Sequence, residues 1–231
     1  PDVTIQVTGG GSGTGIAALI NGTTEICQAS RPMKPEEKES VKKQRQADVV
    51  EIPVALDALA IYVHNDNPIQ HLDMERVARI FRGEVSNWKE VGGKDGRIVL
   101  YGRENNSGTY VFFKEHVLKN ADFAETYQAL PGTAAVINAV QKDAGGIGYG
   151  GIGYAKDVKT ITVTKDASSP PVPPTMENVL NNMYPLSRQL FWYTAGPPAG
   201  VMKDFVDWVL GSDGQRVVTE VGYYPLKAQG Q

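Results

Sequence analysis

Small hydroxyl and glycine residues cluster twice in this chain, each time where a bound anion could find several donors. The first cluster is Thr8-Gly-Gly-Gly-Ser-Gly-Thr-Gly15 and the second is Arg103-Glu-Asn-Asn-Ser-Gly-Thr109. Each follows a β-type run (Val3 to Val7; Arg97 to Tyr101) and precedes a helix-type run (Ile16 to Ile20; Tyr110 to Leu118). A strand that turns through Gly and Ser into a helix aims several backbone N–H groups at one point, and that geometry binds oxyanions. In the first loop Gly13 permits close backbone approach, while Ser12 and Thr14 add hydroxyl donors. In the second, the Arg103 guanidinium can grip a tetrahedral oxyanion through parallel hydrogen bonds. Ser107, Gly108 and Thr109 then present N–H and O–H groups from the first turn of a helix, where the dipole favours negative charge.

Other chemistries fit these loops poorly. No Gly-Lys-Ser/Thr follows the first loop, so it is not a nucleotide phosphate loop. Gly10-Gly-Ser12-Gly-Thr14 lacks the last glycine of a hydrolase elbow. Gly146-Ile-Gly148-Tyr-Gly-Gly151 spells a dinucleotide motif but reads as a strand, not a helix start. His64, His71 and His116 have no metal-ligand spacing, so neither metal nor nucleotide cofactor is expected.

Asp57 interrupts the apolar run Leu56-Asp-Ala58, where a carboxylate is costly unless paired or hydrogen-bonded. Beside an anion it would accept the proton of hydrogen phosphate and repel sulfate, which has none to give at neutral pH. The plainer reading is a structural ion pair, for instance with Arg31. Ser30 and Arg31 follow a strand end, where open α/β sheets place ligand groups. Arg31 either touches the anion or neutralises Asp57.

The elements that must hold these residues alternate strand and helix. Helices are expected near 14–21, 35–46, 73–81 (capped by Asp73), 107–118, 133–142, 201–210 and 213–219, with a short one near 178–182. Strands are expected at 3–7, 24–29, 97–101, 147–154, 159–164 and 188–193, with a long stretch at 49–63 broken at Pro53 and around Asp57. That alternation predicts an α/β protein with largely parallel sheets. Two lobes follow if the chain crosses near 57–64 and 146–154: an outer lobe from 1–63 and 151–231, and a middle lobe from 64–150. Closure of such lobes traps small molecules.

The 231 residues suffice for one large or two smaller domains, and carry a formal charge of -3. With a pI near 5.7, nucleic acid is not an expected partner. No apolar run is long enough to span a bilayer. The lone Cys27 cannot form an internal disulfide and reads as a buried apolar thiol. Trp88, Trp192 and Trp208 read as core or packing residues.

Taken together, the motifs resemble those of the substrate-binding proteins of bacterial phosphate-specific ABC transporters, over nearly the whole chain. The resemblance rests on Val7-Thr-Gly-Gly-Gly-Ser-Gly-Thr-Gly15, Ala29-Ser-Arg-Pro-Met33, Leu56-Asp-Ala-Leu-Ala-Ile61, Ile80-Phe-Arg-Gly83 with Ser86-Asn-Trp88, Gly102-Arg-Glu-Asn-Asn-Ser-Gly-Thr109, Gly145-Gly-Ile-Gly-Tyr149 and Tyr184-Pro-Leu-Ser-Arg188. It implies a type II two-lobed periplasmic-binding fold with the ligand in the interlobe cleft. It also implies phosphate binding, delivery to an ABC permease for import, and work on the periplasmic or extracellular face of the membrane as a monomer. By position, Ser12, Asp57, Arg103, Ser107, Gly108 and Thr109 resemble phosphate ligands. Family members usually carry a further strand, hydroxyl loop and helix ahead of the segment matching Pro1, and a lipid anchor could precede it. The competing readings are a secreted phosphatase or hydrolase using Ser12 or Ser107, and a phosphate sensor or adhesin on the same fold.

Overall fold

A computed structural model describes residues 3–226. In chain order its helices are α1 (Ser12–Asn21), α2 (Pro35–Arg45), α3 (Met74–Phe81), α4 (Gly108–His116), α5 (Thr133–Lys142), α6 (Met176–Leu180), α7 (Gly200–Leu210) and α8 (Ser212–Glu220). The strands are β1 (Cys27–Ala29), β2 (Val49–Val63), β3 (His71–Asp73), β4 (Val99–Arg103), β5 (Gln128–Leu130), β6 (Gly146–Gly151), β7 (Lys159–Thr164) and β8 (Ser187–Ala195). The α/β class is as expected, and two compact units share the chain.

Among the described residues the first unit comprises 3–56, Asn106–Gly108 and 189–226. Its strands run in the order β1-β8-β2, with β1 antiparallel to β8 from Cys27↔Tyr193 to Ala29↔Phe191. Alternation along β8 sends side chains to opposite faces. Phe191 and Tyr193 pack with Ile16, Leu19, Cys27, Met33 and Val41 beneath α1 and α2. Leu190 and Trp192 join Ile52, Val54, Val206 and Val209 beneath α7. Trp192 packs against Phe205, which stacks on Trp208, but Trp208 is half exposed and not a core residue. Cys27 is fully buried, and burial above all pushes its thiol up to about 12. It is a packing residue at neutral pH.

The second unit comprises Asp57–Asn105 and Thr109–Arg188. Its strand order is β3-β7-β2-β6-β4-β5. The C-terminal part of β2, from Ala58 to Val63, is buried at every residue, as expected of a strand covered on both faces. It pairs antiparallel with β6 (Leu59↔Gly151 to Val63↔Ile147) and with β7 (Ile61↔Ile161 to Val63↔Lys159). The pairs β4–β6, β4–β5 and β3–β7 are parallel. On one face, Val136, Ile137 and Val140 of α5 pack on Ala60 and Tyr62. An aromatic cluster fills another region, with Phe113 stacked on Tyr149 at 3.9 Å and Phe81 edge-on to both. Asp73 caps α3 by accepting from the Arg76 N–H at 2.8 Å.

Several expectations change. The sheets are mixed instead of largely parallel, because β2 meets β6 and β7 antiparallel. Val3 to Val7 forms no strand: Val3, Ile5 and Val7 are 50%, 58% and 71% exposed, and no strand among the described residues pairs with them. Alternation gives a segment β character, but only a neighbour makes it a strand. β2 runs unbroken through Pro53 and Asp57; a proline removes one donor from a ladder and need not end it. The strand expected at 147–154 stops at Gly151, and Ile152–Tyr154 is a 3-10 turn. The units divide at Leu56–Asp57 and Arg188–Gln189, with Asn106–Gly108 going to the first; Asp57 lies within the expected 57–64 crossing, and 151–188 goes with the second unit. Residues 57–63 pair with β6 and β7, and β7 in turn carries β3, which ties 151–188 to the second unit.

Candidate functional site

Within the first unit, three segments of the chain converge on the start of α1. Gly11 precedes the helix and brings no side-chain cap. The Gly13 N–H donates to the Asn106 carbonyl at 2.9 Å, and Asn106 Nδ2 donates to Thr14 Oγ1 at 3.3 Å. Ser12 Oγ accepts from the Ser30 N–H at 3.0 Å and lies 3.4 Å from Ser30 Oγ. A Cβ on Gly11 would sit 2.4 Å from the Asn106 oxygen and 2.9 Å from Ser107 N. One on Gly108 would sit 2.3 Å from Ser12 Oγ and 2.6 Å from Ser30 Oγ. Only residues without a side chain let the backbones approach this closely. Ser12, Gly13, Thr14, Ser30, Ser107 and Gly108 are thus neighbours, a concentration of short hydroxyl and amide groups at helix starts. The partners of the Ser12 hydroxyl are another hydroxyl and an amide, neither of them a base able to activate it.

Arg31 stands beside this cluster in sequence but is committed elsewhere. Its Nη1 and Nη2 fork onto Glu37 Oε2 and Oε1 at 2.8 and 2.6 Å, and Nη1 also reaches the Pro32 carbonyl. Glu37 accepts the Lys34 N–H as well, closing the first turn of α2. Burial pushes the Glu37 carboxyl up, but the Arg31 fork, the Lys34 N–H and the charges of both residues together bring it below its ordinary value.

The second unit holds Asp57, Arg103 and Arg188. Asp57, 2% exposed, pairs with Arg188, 6% exposed, where the sequence reading offered Arg31 as the partner. Arg188 Nε and Nη2 both donate to Asp57 Oδ2, at 3.1 and 2.8 Å. Nη2 also donates to Thr109 Oγ1 at 2.9 Å, and the guanidinium lies 5.4 Å over the Phe112 ring. Burial raises the Asp57 carboxyl above its ordinary value, with Arg188 and the Ala58 N–H working against it.

Arg103 closes β4. Its Nη1 donates to Thr133 Oγ1 at 3.1 Å, at the start of α5, and its Nε is buried without a partner. Its carbonyl accepts from Tyr127 Oη at 2.8 Å, and Tyr127 shares a further 2.8 Å hydrogen bond with Tyr149. Tyr127 lies so close to β4 that a Cβ on Gly102 would fall 2.2 Å from its oxygen. Burial and the charge of Arg188 both disfavour the Arg103 cation. Among the described residues no carboxylate forms a salt bridge with it. Of these two guanidinium groups, Arg188 has Asp57 as its ion-pair partner, while Arg103 has none among the described residues and, of the carboxylates, only the charge of Glu104 in its favour, so Arg103 sits in a half-buried region short of negative charge. Such a region favours an anion.

Arg188, Thr133 and Tyr127 carry no functional signal of their own in the sequence. The one available signal for Arg188 was indirect: a carboxylate in the apolar run around Asp57 needs a cation, and Tyr-Pro-Leu-Ser-Arg188 supplies it.

A family model for the PBP superfamily domain matches residues 1–213. The phosphate-binding protein PstS of Pseudomonas aeruginosa is 38% identical over 99% of this chain and 76% of its own length. The chain belongs to the PstS group of the PBP superfamily. PstS of Bacillus subtilis is 33% identical over 98% of this chain and 72% of its own length. Among solved structures, a putative phosphate ABC transporter substrate-binding protein with bound phosphate from Clostridium perfringens matches with a TM-score of 0.84 and 32% identity. That match covers 94% of this chain and 85% of the other. An ABC-type phosphate transport receptor from Vibrio cholerae matches with a TM-score of 0.74 and 28% identity over 93% of this chain and 85% of its own. The PstS fold is therefore the two-lobed periplasmic-binding type.

Proposed function

We propose that this chain binds inorganic phosphate and delivers it to an ABC-type permease for import, working as a monomeric receptor on the outer side of the cytoplasmic membrane. The observation that carries the reading is Arg103, a guanidinium half withdrawn from water with no carboxylate partner among the described residues. Ser12, Gly13, Thr14, Ser30, Ser107, Gly108 and Thr109 are the proposed hydroxyl and amide donors. Asp57 is the proposed acceptor of the ligand's proton. Arg31 is not offered as a ligand, since its fork is engaged by Glu37. The PstS relatives named as phosphate-binding, and the C. perfringens structure with bound phosphate, support the same ligand. No helix among the described residues is long and apolar enough to cross a membrane.

Titration calorimetry tests the reading. The expected result is one phosphate per chain, with sulfate bound far more weakly. Arg103→Ala should lower phosphate affinity by about 30- to 1,000-fold, because stripping one member of a desolvated charged contact costs at least ~2–4 kcal/mol. Lys114→Ala removes only a peripheral pair with Asp122 and should change affinity by less than about fivefold. Equal, small losses in the two variants would rule Arg103 out as a ligand. Sustained release of product from a phosphomonoester would instead favour an enzyme.

A further inference from the structure

The Asp57–Arg188 pair is bonded in an unusual way for two groups so well shielded from water. An arginine and a carboxylate normally meet fork to fork, each nitrogen on its own oxygen. Here both engaged nitrogens of Arg188 converge on the single oxygen Oδ2. One acceptor and one donor of the same pair are left over: Asp57 Oδ1 and Arg188 Nη1 are buried and have no hydrogen-bond partner. A buried polar atom left in that state is destabilising, and a buried ionic one more so. The guanidinium is not free to swing into a better arrangement. Thr109 Oγ1 holds Nη2, and the Phe112 ring lies against its face.

A donor and an acceptor of one ion pair, each without a hydrogen-bond partner, are a chemical specification. Sulfate and carboxylate ligands at neutral pH offer acceptors only, so either would satisfy Nη1 and crowd negative charge against Oδ1. Hydrogen phosphate offers both an anionic oxygen and a P–OH group. Building on the phosphate-binding reading above, we propose that Arg188 is a specificity-determining residue of the phosphate site. Its Nη1 donates to a phosphate oxygen. Its grip on Oδ2 keeps Oδ1 turned out as the acceptor of the phosphate's remaining proton. Arg188 thus does two things that Arg103 does not: it adds a second guanidinium donor, and it sets which carboxylate oxygen reads the protonation of the ligand. Discrimination then comes from the penalty imposed on the wrong anion as much as from attraction to the right one.

The test is calorimetric titration of the full chain with phosphate and with sulfate, on wild type and two variants. Arg188→Lys keeps the charge but loses the planar fork, and phosphate affinity should fall by about 10- to 100-fold, one good charged hydrogen bond being worth ~1.5–3 kcal/mol. The ratio of phosphate to sulfate affinity should fall with it. The double variant Asp57→Leu/Arg188→Met removes both charges without stranding either, so it should fold even where the single change does not. It should bind the two anions with affinities within about tenfold of each other. Wild-type selectivity in either variant would overturn the proposal, as would equal losses for phosphate and sulfate, which a purely structural pair would produce. If wild type itself fails to bind phosphate, the functional reading falls first, and that outcome is distinct from both.

Discussion

Asp57→Ala is expected to lower the unfolding free energy by about 3–5 kcal/mol, the usual consequence of breaking a buried ion pair from one side. The carboxylate is 2% exposed and the guanidinium it neutralises 6% exposed, so the surviving Arg188 has no water to turn to. Thr109 Oγ1 and the Phe112 face remain its neighbours, and neither carries a compensating charge. For a chain of this size the loss corresponds to a fall in Tm of roughly 6–20 °C. Urea titration followed by circular dichroism measures it. The contrast is Arg216–Glu220 on α8, whose side chains are more than half exposed; breaking it should cost less than about 1 kcal/mol. A loss that small at Asp57 would mean that solvent screens the pair.

Gly108→Ala is expected to damage ligand binding much more than folding. Gly108 opens α4, where alanine is the better helix former by about 1 kcal/mol. Propensity alone therefore predicts a gain in stability. The new methyl group, however, would arrive 2.3 Å from Ser12 Oγ and 2.6 Å from Ser30 Oγ, and 3.1 Å from Ser12 Cβ. Both hydroxyls must rotate away or the α4 start must retreat, at a strain of roughly 1–3 kcal/mol. Either adjustment disperses the donors at the start of α1, and phosphate affinity should drop by about 100-fold or more, some 3 kcal/mol. Gly96→Ala is the control: its Cβ meets nothing within 4 Å, and its affinity should stay at the wild-type value. Unchanged phosphate binding by Gly108→Ala would remove the unit 1 cluster from the proposed ligand set.

Local chemistry was legible in the sequence wherever neighbours in the chain decide it. The α5 helix and the β7 strand fall where periodicity and turn residues put them, and Asp73 caps α3 because its acceptor lies three residues from its donor. The two hydroxyl-glycine loops were legible for the same reason. Long-range choices were not. Asp57 and Arg188 are 131 residues apart, and no periodicity links a carboxylate to the cation that will neutralise it. Arg31 was the nearer candidate, but Glu37, six residues on, holds it by a fork within the first turn of α2. The three-residue strands β3 and β5 carry too few residues for alternation to register. Val3 to Val7 makes the opposite case, with the alternation of a strand and no neighbour.

Cys27 has a practical consequence. Its sulfur lies against Gly15 beneath α1, and the proton it carries leaves only at about pH 12. A maleimide or disulfide reagent added to the native protein has no other sulfhydryl to attack. It must wait for the α1–β1 layer to come apart, so the speed of labelling becomes a clock for local opening of that layer. Timed with and without phosphate, the same clock reports how far ligand holds the first unit shut.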